Sequence, residues 1–436
     1  MKLSLRHLLI PLLLLLSSVS HSAPKEYLLP LNDGGELSIL QFPAQVEQAA
    51  TRYIWMPTEH GLQAAEVSVA EQLAKLSADV EVLIPDYFTS FFLPAGKQAL
   101  NEVAARSLQS VLKKYPAPQA GISKQDIFIV APNKAAIPAM QALHAIQTTR
   151  PAQRIGLILL NPDVTNGPPI PGVPTQYHPI VSSTNAPVFI IQAEKSPWRH
   201  GLFKLESTLE KSGSDVFLQV LPDVRDRFYF RPDASEKETA MAQRLPRILA
   251  QAANLLAPYL DKERSLPSVS DRTTAEATER KPKQQRKRGL SPYTGAQGKS
   301  FSLPDLEGTM KSLQDWRGKV VLLNFWASWC PPCVHEIPSM VALKNRLKGR
   351  PFEIVAVNLG EPVSDVRHFL SQHPVNFPVL LDSRGETAKS WQVAAYPTSF
   401  IIDRDGRIRL ALAGGHDWDE PESVDVIEKL LNEAGQ

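Results

Sequence analysis

Between positions 261 and 299 the sequence almost stops using large apolar side chains and is dominated by Ser, Thr, Pro, Lys, Arg and Glu. A segment of that composition cannot bury enough surface to offset the entropy of ordering it. Any fold for the chain must therefore form separate bodies on either side, residues 23–260 and residues 300–436. At roughly 35 residues the segment has a root-mean-square span of about 30–35 Å, which holds its neighbours at an effective concentration near millimolar. Its basic cluster, Arg280, Lys281, Lys283, Arg286, Lys287 and Arg288, reads as a solvated linker or as a peripheral contact to anionic lipid or an acidic partner. The 436 residues, 43% apolar with a net charge of +2, suit two or three globular domains and give no field that suggests nucleic acid.

Lys2 and Arg6 precede an apolar stretch at 8–16, and small residues at 17–23 supply a cleavage site. This is the pattern of a secretory signal peptide, assigned to residues 1–22. No cysteine follows the stretch, which excludes a lipoprotein attachment, and no later run approaches the ~18 apolar residues that span a bilayer. The expectation is a soluble protein exported across the inner membrane into the periplasm, with an uncleaved anchor as the alternative. Each domain must then fold in an oxidising space without structural disulfides.

Every thiol of the chain lies in one C-x-x-C pair, Cys330 and Cys333, separated by Pro331 and Pro332. Upstream, residues 320–325 form a continuous apolar run of strand type, and residues 334–347 read as a helix. Cys330 thus stands at a helix start, where unpaired N–H groups favour thiolate over thiol. That makes Cys330 the nucleophile and Cys333 the resolving thiol. Structural zinc needs four ligands, and neither a second C-x-x-C nor an H-x-x-x-H exists here, so no metal site or cofactor is expected. Copper(I) stays open as an alternative because two thiolates suit a soft ion, although His335, two residues past Cys333, falls on a different helix face.

From Phe301 onward the order of elements is readable: a short strand and turn, one helical turn at 312–316, the strand and helix around the cysteines, then a strand at 352–358. A helix at 363–372, a strand at 379–381 and a short helix near Ala388 lead to a strand after Pro397, a hairpin turn at 403–406, a strand at 407–412 and a closing helix at 420–433. The run Asn324-Phe325-Trp326-Ala327-Ser328-Trp329-Cys330-Pro331-Pro332-Cys333, with Tyr396-Pro397-Thr398 downstream, resembles the thioredoxin fold in its TlpA/ResA/CcmG-like branch. Pro338 matches the helix-kinking proline of thioredoxins. Pro397 matches the proline that the family holds in cis beside the disulfide, which would aim the backbone of Tyr396 at an extended substrate. Glu361, after a buried strand, matches a glutamate that ResA-like proteins keep near the cysteines. A carboxyl there suits proton traffic with a resolving thiol, and a plain capping role is its alternative. Trp329 reads as a rim residue for substrate and Trp326 as packing.

Residues 23–260 alternate strand-like runs, at 53–56, 80–84, 126–130, 155–160, 188–191 and 216–220, with helical stretches. This predicts a mostly parallel sheet covered on both faces. The layout is similar to an α/β-hydrolase, with Glu59-His60-Gly61 where such enzymes keep an oxyanion loop. Where G-x-S-x-G would stand the chain reads Ala131-Pro132-Asn133-Lys134-Ala135, and an amide cannot serve as the nucleophile. The later strand ends bring Glu194 and Asp226 but no histidine. The domain therefore reads as a binding module, with the Pro-rich loop 167–174 and the Phe228-Tyr229-Phe230 cluster as candidate surfaces that double as ordinary loop and core. His60, His178 and His200 lack metal-ligand spacing.

The fold expectation is α/β: a hydrolase-like domain lacking its nucleophile plus a thioredoxin-fold domain. The resemblance implies a periplasmic thiol–disulfide oxidoreductase, with catalytic Cys330, Cys333, Glu361 and Pro397 and substrate contacts at Trp329 and Tyr396. Reductases of this branch act on protein disulfides in envelope proteins such as apocytochrome c, and take electrons from a membrane thiol transporter of the DsbD/CcdA type. Oxidase or isomerase activity and Cu(I) handling are the rival readings.

Overall fold

The computed structural model describes residues 23–31, 34–114, 125–149, 154–265 and 289–433. The expected signal peptide and the basic cluster at 280–288 lie outside the described residues.

The N-terminal half is built on eight strands: β1 (Lys25–Pro30), β2 (Glu36–Phe42), β3 (Thr51–Trp55), β4 (Val80–Pro85), β5 (Asp126–Pro132), β6 (Ile155–Leu160), β7 (Val188–Lys195) and β8 (Val216–Arg225). They form one sheet in the order β1-β2-β4-β3-β5-β6-β7-β8, antiparallel at β1/β2 and β2/β4 and parallel throughout the rest. β4 and β6 are buried at every position, as an unbroken apolar run demands when helices cover both faces. One apolar cluster fills each face of the sheet. The β1–β2 hairpin was absent from the sequence expectation. β1 is an edge strand that buries only Leu29, and β2 buries only Leu37, Ile39 and Phe42, so neither displays a long apolar signal.

Both ends of the expected 261–299 linker are tied down, which narrows it. Arg154 pairs with Asp261, Lys262 and Arg264 reach Asp215 at 2.8 and 2.5 Å, and the Asn185 amide donates to the Ser265 carbonyl at 2.8 Å. At the other end β9 (Ser291–Pro292) joins the second sheet. The Gln297 amide then imitates a strand residue, accepting from Ile408 N at 2.9 Å and donating to Ile408 O at 2.8 Å. Polar composition hid these contacts because they are made by hydrogen bonds and charge pairs instead of apolar burial.

The second sheet adds β12 (Val320–Trp326), β13 (Phe352–Leu359), β14 (Val379–Asp382), β15 (Thr398–Ile402) and β16 (Ile408–Ala413), after a small hairpin of β10 (Ser302–Pro304) and β11 (Met310–Ser312). Its order is β14-β13-β12-β15-β16-β9, parallel across β14/β13/β12 and antiparallel from β15 outward. β12 is central and wholly buried, so the helix that follows it is launched from the most rigid part of the sheet. The helices Pro331–Arg346, Val363–Gln372 and Pro421–Asn432 complete the layers, with apolar clusters on both sheet faces. The chain thus contains a large, mostly parallel sheet and a thioredoxin-fold C-terminal region.

Candidate active site

Cys330 caps the helix Pro331–Arg346 from the end of the loop that follows β12. A disulfide joins it to Cys333, with Cα atoms 5.3 Å apart. Cys330 retains 5% of its surface and Cys333 only 1%, so an incoming sulfur meets Cys330 first. The helix start offers that sulfur few donors. Pro331 and Pro332 have no N–H, and the Cys333 N–H is taken by the Cys330 carbonyl at 3.0 Å. Pro338 lies inside the same helix, and Gly415 lies against Pro332 so closely that a Cβ there would meet its carbonyl at 3.2 Å.

The Tyr396–Pro397 peptide bond is cis and stands at the entrance to β15. The Pro397 carbonyl accepts from Gly414 N at 2.8 Å, and the Trp329 and Tyr396 rings meet edge to face at 5.9 Å. Burial pushes the Tyr396 phenol far up, and its hydroxyl finds no partner among the described residues. Trp326 packs instead on Phe369, at 5.4 Å between ring centroids.

Glu361 is buried two residues past the end of β13. It accepts from Ser328 N and from the Asn358 amide, each at 2.7 Å, and from the Ser328 hydroxyl. Those donors tie the strand end to the loop that carries Trp329 and Cys330.

A second buried acid, Glu336, escaped the sequence reading. It follows Cys333 by three residues, which places both on one helix face. Its carboxylate accepts from the Asn324 amide at 2.7 Å, His416 N at 3.2 Å and the Trp418 indole at 3.3 Å. Burial outweighs these donors and pushes the Glu336 carboxyl up to about 7. The signal that could have found it is the i, i+3 spacing to a cysteine that must be buried.

Over 120 residues the chain is 40% identical to the thiol-disulfide oxidoreductase ResA of Bacillus thuringiensis subsp. konkukian, covering 28% of this chain and 69% of that relative. The chain belongs to the ResA-type thiol-disulfide oxidoreductases. The ResA of Bacillus subtilis is 38% identical over 120 residues, 28% of this chain and 67% of the relative. Residues 294–411 match the AhpC/TSA family. Among solved structures, StoA from Bacillus subtilis is 28% identical and covers 30% of this chain and 95% of its own, with a TM-score of 0.26. The family match at 294–411 spans the domain that holds the Cys330–Cys333 disulfide.

Outside the ResA-like domain, the strand-to-helix turn after β5 holds Asn133 at φ 46°, a conformation that few side chains tolerate. The residue is buried, with its amide donating weakly to the Asn161 carbonyl at 3.4 Å. Lys134 pairs with Glu59 at 3.3 Å, and His60 meets Arg227 at 2.9 Å. Glu194 is engaged by Arg199 at 3.3 Å and by Asp223 N at 3.0 Å, while burial raises the Asp226 carboxyl despite nearby arginines. Phe228 and Tyr229 belong to the core, and the His178 ring accepts from Ile180 N at 3.2 Å. His200 alone of the three histidines reaches the redox domain, meeting Tyr396 edge to face at 6.2 Å.

Proposed function

We propose that the chain is an exported reductase of disulfides in specific envelope proteins, with its N-terminal domain acting as a non-catalytic recruitment module. The observation that carries the direction of transfer is the shortage of free backbone donors at the start of the helix that Cys330 caps. A strong oxidant stabilises its reduced thiolate, whereas a proline pair that withholds N–H groups leaves the disulfide comparatively favoured and the dithiol a better electron source.

In the reduced protein the Cys330 thiolate attacks one sulfur of a client disulfide, forming a mixed disulfide and releasing one client thiolate. Cys333 gives its proton to the Glu336 carboxylate and attacks the Cys330 sulfur, which closes the Cys330–Cys333 bond and expels the second client thiolate. Two electrons have passed to the client, and a dithiol donor must return them. A group poised near neutrality is suited to that proton step, which the Glu336 environment supports. Glu361 serves this scheme by bracing the Ser328 loop, and Pro397 with Tyr396 and Trp329 by presenting backbone and rings to an extended client. The sequence of residues 1–22 supports export to the periplasm, and among the described residues no helix is long and apolar enough to cross a membrane. A membrane thiol transporter of the DsbD/CcdA type is the proposed donor, and apocytochrome c is one client class.

For the N-terminal module, the eight-stranded order and the strained turn at Asn133 support a hydrolase-like ancestry without its serine. Equilibration of the full chain with glutathione redox buffers tests the direction. A reductase falls well below the roughly −180 mV of a disulfide isomerase, and a value near the roughly −120 mV of a strong oxidant would contradict the reading.

A further inference from the structure

A cavity of about 310 Å³ lies outside the carboxyl ends of β6 and β7, where open α/β sheets receive ligands. Val164, Tyr177 and Leu205 give it an apolar wall, and its opposite side is made by Gln392, Val393 and Ala394 of the redox domain. Gln192, fully buried on β7, also lines it. The Gln192 amide nitrogen donates to Asn161 at 3.3 Å and to the Ala193 carbonyl at 3.2 Å, while its oxygen has no donor among the described residues. An unpaired buried acceptor is costly, and an N–H brought to it by a ligand would relieve that cost.

The cavity borders the segment that leads to the cis proline. Ala394 precedes Tyr396 by two residues, and His200, another lining residue, contacts the Tyr396 ring, which in turn contacts Trp329 beside Cys330. Gly385 sits so tightly under the His200 ring that a Cβ would collide with it, and Gly172 sits the same way against Tyr293, so the domains are fitted to each other at two points. The ring-to-ring steps of 6.2 and 5.9 Å span at most about four extended residues at ~3.3 Å each between His200 and Trp329, and the reach into the cavity and on to Cys330 adds to that.

We propose that this interdomain cavity is a specificity site that takes an apolar side chain of the client protein, four to six residues from the cysteine under attack, with a backbone N–H of the same segment donated to Gln192. The inference rests on the reductase reading for its client but not for its test. The apolar walls select a leucine-sized group, the Gln192 oxygen selects peptide over hydrocarbon, and the distance from Cys330 sets the register. The N-terminal domain thereby reads client sequence for a redox centre that by itself sees only a disulfide.

The test uses the full chain and fluorescein-labelled peptides in which serine replaces the client cysteine, so that binding is read without exchange. Two ladders place a single leucine two to eight residues to either side of that serine in a Gly/Ser background. One ladder should bind roughly 10-fold or more tightly when the leucine stands four to six residues away, the size expected from burying one such side chain. Thr175→Trp and, from the opposite wall, Ala394→Trp should each remove that gain, with the two-residue peptide as the baseline in every variant. Affinity independent of leucine position, or a gain that survives both substitutions in proteins with native circular dichroism, overturns the proposal. Disulfide versions of the same peptides report turnover separately: a positional binding optimum without turnover leaves the cavity assigned and removes the reductase reading.

Discussion

Glu336→Gln isolates the energetic cost of keeping an ionisable group beneath the cysteine pair. Burial lifts this carboxyl from an ordinary 4.5 to about 7. Protonation is therefore favoured by folding, and the stability it contributes is fully present below pH 4.5 and lost as pH rises through 7. At 1.36 kcal/mol per pH unit the gap amounts to about 3 kcal/mol. Glutamine is nearly isosteric and carries no charge. Its oxygen can accept from His416 N and the Trp418 indole, and its amide can face Asn324 once that side chain turns its own oxygen inward. The variant should match the wild-type protein within about 1 kcal/mol at pH 5 and exceed it by about 2–3 kcal/mol at pH 8. Urea unfolding of the oxidised protein, followed by tryptophan fluorescence at both pH values, measures the difference. The same variant should lose the inflection near pH 7 in the rate of thiol–disulfide exchange. An equal stability difference at pH 5 and pH 8, or a variant less stable at pH 8, would refute the reasoning.

Two further outcomes follow from other contacts. Glu361→Ala removes an acceptor from Ser328 and Asn358 and should lower stability by about 1–3 kcal/mol, read by urea unfolding, while Glu361→Gln should keep the neutral inflection that Glu336→Gln loses; an unchanged stability in Glu361→Ala would remove the bracing role. At the domain contact, burial together with Arg199 and Lys389 pushes His200 from an ordinary 6.5 down to about 4. The docked state therefore resists protonation, so its stabilisation is complete above pH 6.5 and is lost as pH falls toward 4. The ring is half-buried, and screening reduces the effect to about 1–2 kcal/mol. Small-angle scattering should show the protein expanding between pH 7 and pH 4.5, and His200→Phe should suppress the change; equal expansion in the variant would exclude His200 as its cause.

The C-terminal fold was legible because its strands are short unbroken apolar runs and its helices have clear boundaries. Residues 363–372 were expected as a helix and are one, and the expected strand at 352–358 extends by a single residue to Leu359. Cys330 and Cys333 were legible from their spacing, and Tyr396 and Pro397 from the company they keep. Glu336 was not, because a glutamate in a helix ordinarily faces water. Its burial depends on Asn324 of β12, 12 positions away, and on His416 and Trp418, 80 and 82 positions away along the chain. Edge strand β1 was missed for the opposite reason, since a strand that buries one residue leaves almost no pattern. The cavity between the domains was invisible in the sequence, because Gln192 and Ala394 meet only through the docking of two separately folded bodies.

The central claim is that Cys330 exchanges disulfides with client proteins and Cys333 resolves the product. Cys333→Ala, expressed in the full chain and quenched with acid, measures it directly by mass spectrometry of thiol-linked adducts. The claim predicts client proteins bound through Cys330 in this variant and their release on reduction, with no adducts in Cys330→Ala/Cys333→Ala. Recovery of no thiol-linked protein from Cys333→Ala would contradict it.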